Sequence, residues 1–73
     1  MFTKRHEIVV GKDDVLTAIN IFNKYQNFLV CGGSIDIWEC DNDKYYMMLR
    51  TTSKRWRRMI EEFERIPSLR VRD

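Results

Sequence analysis

Seventy-three residues, 44% of them hydrophobic and 33% charged, with a formal net charge of +2, describe one small folded domain and exclude a disordered chain. A chain this short buries only about 60% of the surface it exposes when unfolded, so domains of this size commonly lean on a disulfide, a metal or a partner. No apolar run approaches the roughly 18 residues of a membrane span, and Met1–Glu7 lacks the apolar segment of a signal peptide, so the expected location is the cytoplasm and no membrane partner is expected.

His6–Val10 is β-branched, ends at Gly11 and reads as a strand with Ile8 and Val10 on one face. Lys12–Asn27 has helical periodicity, with Val15, Ala18, Ile19, Phe22 and Tyr25 recurring at spacings of three and four. Asp13 and Asp14 sit in its first turn, where negative charge suits the helix dipole. Phe28–Val30 is apolar, and Gly32-Gly33 interrupts the pattern either as a bulge or as a hairpin turn. Ser34–Cys40 then alternates, Ile35 and Ile37 opposing Asp36, Trp38 and Cys40. Lys44–Thr52 alternates too, Tyr45, Met47 and Leu49 opposing Tyr46, Met48 and Arg50.

The register between these two strands follows from their faces. Pairing Ile37 with Met47 and Ile35 with Leu49 places both apolar sets together and leaves a three-residue loop, Asp41–Asp43. A slip of one residue would mix the faces, and Asn or Asp suits the left-handed position such a loop requires. Ser53 is read as the cap of a second helix, Lys54–Ile66, with the stripe Trp56, Met59, Ile60, Phe63 and Ile66. Arg57 with Glu61 and Arg58 with Glu62 stand at the i, i+4 spacing of surface ion pairs. Pro67 ends the helix, and Ser68–Arg72 reads as a last strand with Leu69 and Val71 opposed to Arg70 and Arg72. The order βαββαβ predicts a ferredoxin-like α+β domain over residues 1–73, a four-stranded antiparallel sheet with two helices on one face.

Cys31 and Cys40 would lie about 30 Å apart on one straight strand, beyond disulfide reach unless the chain folds back at Gly32-Gly33. Two thiols suit a reducing compartment. With one histidine, His6, and no ligand spacing in the sequence, no metal and no cofactor is expected. Catalytic sets are weak. Asp13, Asp14 and Asp36 are separated by the predicted topology, Cys31 has no neighbouring base, and no nucleophile–base–acid set can be assembled. An enzyme is not expected.

Two surfaces remain. If the helices cover the Ile8–Ile35–Met47 face, the opposite face carries Glu7, Val9, Asp36, Trp38, Tyr46, Met48, Arg50, Arg70 and Arg72, with Trp38 opposite Tyr46. An exposed Trp-Tyr-Met cluster beside arginines marks an interaction site. For base stacking, however, the first strand offers only His6, Glu7 and Val9. The second surface is the helix start Lys54-Arg55-Trp56-Arg57-Arg58, where Lys54, Arg55, Arg57 and Arg58 oppose the helix dipole and are expected to contact an anion or nucleic acid. The charge is segregated accordingly: residues 50–58 hold five positive charges and no acid, while residues 34–49 hold four acids and one base.

These features predict a non-enzymatic inhibitor or adaptor, of the anti-defence kind found on mobile elements, that occludes or bridges a macromolecular partner. Partner-binding residues are Trp38, Tyr46, Met48, Arg50, Arg70 and Arg72. A heterologous protein is the first expectation for the partner and a homodimer the second. The alternative is a single-stranded nucleic-acid binder that stacks bases on Trp38 and Tyr46, and the third class is a dimeric small-ligand sensor.

Overall fold

The computed structural model describes residues 3–26, 34–40 and 42–72. Among them the chain runs through strand β1 (Lys4–Gly11), a 3-10 turn (Lys12–Asp14), helix α1 (Val15–Tyr25), strands β2 (Ser34–Glu39) and β3 (Lys44–Thr51), helix α2 (Ser53–Phe63) and strand β4 (Arg70–Val71). The fold is α+β, with one four-stranded antiparallel sheet in the order β2-β3-β1-β4. Asn27, Phe28–Val30, Cys31, Gly32-Gly33 and Asp41 lie outside the described residues, and with them the choice between bulge and hairpin and any Cys31–Cys40 bridge. Cys40 is an exposed free thiol. No helix is long and apolar enough to cross a membrane among the described residues.

Alternation along the strands sorts the sheet into two faces. Ile8, Val10, Met47, Leu49 and Leu69 are buried on one side. They join the helix residues Ala18, Ile21, Phe22, Trp56, Met59 and Phe63 in a single apolar cluster. The register expected from the apolar pattern is present: Ile35 pairs with Leu49, Ile37 with Met47 and Trp38 with Tyr46. The backbone N–H of Cys40 donates to the carbonyl of Lys44 at 2.8 Å. Asn42 and Asp43 both take positive φ, 63° and 58°, which these short polar side chains tolerate better than most. Ile37 shares the helix side by parity yet is exposed, because β2 is the outer strand of the sheet.

His6 requires a correction. Strand β1 begins two residues earlier than its apolar run suggests, and parity puts His6 with Ile8 and Val10, buried on the helix side. Its ring stacks on Trp56 with centroids 4.1 Å apart and planes 7° from parallel. Trp56 in turn leans on Phe63 at 6.0 Å. His6 is therefore a core aromatic and not part of the open face.

In α1 the buried residues are Ala18, Ile21 and Phe22, and Val15, Ile19 and Tyr25 are only half-buried. Ile21 is an addition to the expected stripe: it lies three residues after Ala18, on the same side of the helix, whereas Ile19 is turned about 100° away. Ile60 in α2 is likewise half-buried at the flank of its stripe. The cap of α2 is Thr52, not Ser53. Thr52 is extended (φ −76°, ψ 155°) and its Oγ1 accepts from the N–H of Arg55 at 3.3 Å, while Ser53 is already helical. The helix also ends at Phe63, three residues before Ile66. Tight i to i−3 bonds from Arg65 and Ile66 close it, and Ile66 is still delivered into the core.

Two polar ties hold the ends of the layers. Thr51 Oγ1 donates to Gln26 Oε1 at 2.6 Å, both residues buried, fixing the end of α1 to the end of β3. At the opposite end Ser68 Oγ accepts from the N–H of Gly11 and donates to Asp14. A Cβ on Gly11 would come within 3.0 Å of the Ser68 side chain, so glycine is what allows this approach. Strand β4 is correspondingly short, Arg70–Val71 instead of Ser68–Arg72. The N–H of Arg72 nevertheless still donates to the carbonyl of Glu7 at 2.8 Å.

Phe63→Ala should cost about 3–5 kcal/mol, as large core truncations do, which is comparable to the whole stability of a domain this size. Leu16, 73% exposed on the outer side of α1, is the control, and Leu16→Ala should stay within about 0.5 kcal/mol. Urea unfolding followed by circular dichroism measures both; equal losses would contradict the layer assignment.

Candidate functional site

The face of the sheet turned away from the core is ordered by the strand register into rows. The first row runs Trp38, Tyr46, Val9, Arg70 across β2, β3, β1 and β4. The second runs Asp36, Met48, Glu7, and the third Ser34, Arg50, Arg5. Trp38 is 48% exposed, and Tyr46, Met48 and Val9 are half-buried. The rings of Trp38 and Tyr46 are in contact, with centroids 5.4 Å apart and tilted by 47°, a geometry worth about 0.5–1.5 kcal/mol beyond the area it covers. The Arg72 guanidinium lies over Tyr46, 5.7 Å from the ring centroid. Arg70 turns back on its own loop and donates to the carbonyls of Pro67 and Leu69 at 2.8 and 2.9 Å. Arg50 is exposed and pairs in register with Arg5.

Sequence reading missed Arg5 because the strand was started at His6; extending the alternation back from Val9 and Glu7 would have found it. With it the face carries four arginines, Arg5, Arg50, Arg70 and Arg72, against two acids, Glu7 and Asp36. The apolar part is therefore a small island around Trp38 and Tyr46, with Asp36 and Glu7 in the next row and arginines beyond them and at the β4 side.

The basic start of α2 lies on the other side of the sheet. Together with the end of α1 it borders an open cleft of about 580 Å³ lined by Lys24, Tyr25, Thr52, Lys54, Arg55 and Arg58. Arg57 is exposed but is not among the lining residues, so the structure divides the basic run instead of using it as one cluster. Lys24, Tyr25 and Thr52 had no signal in the sequence. They reach the cleft only through the packing of α1 against α2 and the Gln26–Thr51 tie.

The expected Arg58–Glu62 pair is replaced. Glu62 instead receives hydrogen bonds from the Tyr25 hydroxyl and from Lys24 Nζ, the latter at 3.1 Å. The hydroxyl of Tyr25 is the first cause that holds the Glu62 carboxyl below its usual range, followed by the Lys24 ammonium. The same contact raises Tyr25, and Glu62 likewise raises Lys24. Glu62 is thus turned toward α1 and not along its own helix.

Asp13, Asp14 and Asp36 are not brought together. Asp13 is exposed on the 3-10 turn, Asp14 accepts from Ser68, and Asp36 sits beside Met48 on the open face. Among the described residues no group of His, Cys, Asp and Glu side chains is arranged to hold a metal ion. No family model, curated protein or solved structure matches the chain.

The lowered Glu62 carboxyl fixes a pH dependence. A carboxyl whose folded pKa is depressed contributes stability above its unfolded value and loses it as pH falls through the folded one. The raised Tyr25 and Lys24 contribute below their ordinary values and lose that only in strong alkali. Glu62→Gln should therefore be less stable than wild type at neutral pH, and the gap should close as the pH is lowered below the usual glutamate range. Denaturant midpoints measured at several pH values test this; a gap independent of acid pH would contradict it.

Proposed function

We propose that the chain is a non-enzymatic binding protein that occludes or bridges an acidic protein partner through the open face of its sheet. Trp38 carries this reading. A large aromatic left half exposed on a sheet face, backed by Tyr46 and Met48, on a face that also carries Arg5, Arg50, Arg70 and Arg72, has the composition of an interface centre, where Trp, Tyr, Met and Arg are enriched. Burying such a side chain yields about 1.5–3 kcal/mol, and the excess of arginines over acids on the face favours a partner of negative charge. The fold supports the same reading. The chain order of strands and helices, with β1 between β3 and β4, agrees with the ferredoxin-like arrangement, in which one sheet face is left open.

Nucleic acid is the less favoured occupant on two observations. The outer side of Tyr46 is occupied by Arg72, which leaves Trp38 as the available stacking platform. The central strand β1 contributes Val9 and Glu7 where a base-stacking sheet would carry aromatics.

The double substitution Trp38→Ser with Tyr46→Ser tests the proposal. The variant should keep the circular dichroism spectrum of the wild type, since both side chains lie away from the helix–sheet core. Wild-type protein should sediment as a monomer at all concentrations and should capture, after nuclease treatment, an acidic protein that the variant does not. Capture abolished by nuclease, a dimer that dissolves in the variant, or capture unchanged in the variant would each contradict it.

A further inference from the structure

We infer that the outer edge of β2 accepts an extended, basic segment of another polypeptide as an added antiparallel strand, a contact distinct from the open face of the sheet. The backbone carries the inference. The N–H of Cys40 donates to the carbonyl of Lys44. Counting back by twos in the β2–β3 register, the hydrogen-bonded pairs are then Trp38–Tyr46, Asp36–Met48 and Ser34–Arg50. The alternate residues of β2, Ile35, Ile37 and Glu39, therefore direct their N–H and carbonyl groups away from β3. The other side of β3 agrees with this count: the N–H of Lys12 donates to the carbonyl of Asp43, which assigns Tyr45, Met47 and Leu49 to β1. Strand β2 ends the sheet, and among the described residues no strand pairs with its outward groups.

This edge is also unguarded. Exposed edge strands are commonly blunted by proline, lysine, a bulge or extreme shortness. Strand β4 at the opposite edge is blunted by length, being two residues long. Strand β2 is six residues long, contains neither proline nor lysine, and pairs with β3 without a bulge from Ser34 to Glu39. Every residue in it except the half-buried Ile35 is exposed.

The side chains of β2 select the occupant. Ile37 is 39% exposed on the helix side, so an apolar residue opposite it extends the core past the end of the sheet. On the other side a lysine or arginine meets Asp36 and can lie over the Trp38 ring. Glu39 adds a second acid, and the strand has no base. An acidic segment is repelled there. A second copy pairing through β2 would bring its own Asp36 and Glu39 to the same edge. The occupant is therefore an extended segment that alternates apolar and basic residues, added to the sheet as a further strand. The arginines of the open face stand on or beside β1, β3 and β4, so the two contacts differ in sign as well as in place.

The probe is an acetylated, amidated peptide of three Lys-Val repeats, titrated into the isotope-labelled whole chain and followed by NMR. Saturable shifts should centre on the amides of Ile35, Ile37 and Glu39, and hydrogen exchange at those amides should slow in the complex. An antiparallel pairing that sets valine opposite Ile35 and Ile37 turns the valine N–H groups toward β2. Methylating the backbone nitrogens of the valines should therefore abolish binding, whereas methylating those of the lysines should leave the affinity within about twofold. A Glu-Val peptide should bind at least about fivefold more weakly, since cross-strand attractions become repulsions. Ile37→Pro removes one outward N–H at an edge position, where proline is tolerated; it should keep the circular dichroism spectrum and lose the peptide. Equal binding of the valine-methylated peptide, or loss on lysine methylation instead, overturns the assignment on the unaltered protein. So does a Glu-Val peptide that binds as well, a folded Ile37→Pro variant that still binds, shifts centred on Tyr46 and Val9 instead of β2, or no saturable binding at all.

Discussion

The structure depends on the register of β3. Among the described residues it is the strand with a long partner on both sides, β1 from Lys4–Thr51 to Gly11–Lys44 and β2 from Ser34–Arg50 to Glu39–Tyr45. Because side chains alternate, a slip of one residue would exchange Met47, Leu49 and Thr51 for Tyr46, Met48 and Arg50 on the helix side. Met47, Leu49 and Thr51 are completely buried, and an arginine in their place would need a buried partner. The polar tie Thr51–Gln26 adds a directional constraint to a core otherwise held by non-directional apolar contact. A domain this short has little stability to spare, so the same register that fills the core also decides which aromatic pair is left outside.

The register distributes charge as well. Lys4 and Arg5 lie across from Arg50 and Thr51, and the chain continues from there through Thr52 and Ser53 into Lys54, Arg55 and Arg58. At the other end Gly11 meets Lys44, the N–H of Lys12 donates to the carbonyl of Asp43, and Asp13 and Asp14 follow. One end of the sheet is basic and the other mostly acidic, although the net charge is only +2. Such a field orients an approaching anion over about one Debye length. Its positive end touches both the arginine row of the open face and the cleft between the helices. The two sides of the sheet thus share one source of potential while presenting different shapes, an apolar island on one side and a concave basic wall on the other.

The strand pattern was legible in the sequence because period-two alternation reports directly on which side is buried. Ile35–Leu49, Ile37–Met47 and Trp38–Tyr46 could all be paired from it, and a left-handed Asn or Asp was expected in the connection, where Asn42 and Asp43 both take positive φ. Boundaries were less legible. Lys4 and Arg5 are polar on both sides of their strand, so nothing marked them as strand, and His6 was misplaced with them. Thr52 and Ser53 are both competent caps, and only the backbone distinguishes the extended residue from the helical one. Ile66 fits the helical stripe by spacing but is reached after the helix has ended. The cleft was half legible: the cations of α2 stand together in the chain, whereas Lys24 and Tyr25 come from a helix about thirty residues earlier. The partner of Glu62 was misread for the same reason, since spacing within a helix says nothing about a second helix packed against it.

The central claim is that parity leaves Trp38 on an open, basic face while Trp56 is enclosed. The two tryptophans can be separated by quenching their fluorescence with iodide, which reaches exposed rings and not enclosed ones. Trp38 is 48% exposed and Trp56 only 9%. The wild-type emission should therefore contain a readily quenched component that disappears in Trp38→Phe, leaving the shielded emission of Trp56 alone. Emission from Trp38→Phe that iodide quenches as readily as the wild type would show that the faces of the sheet are reversed.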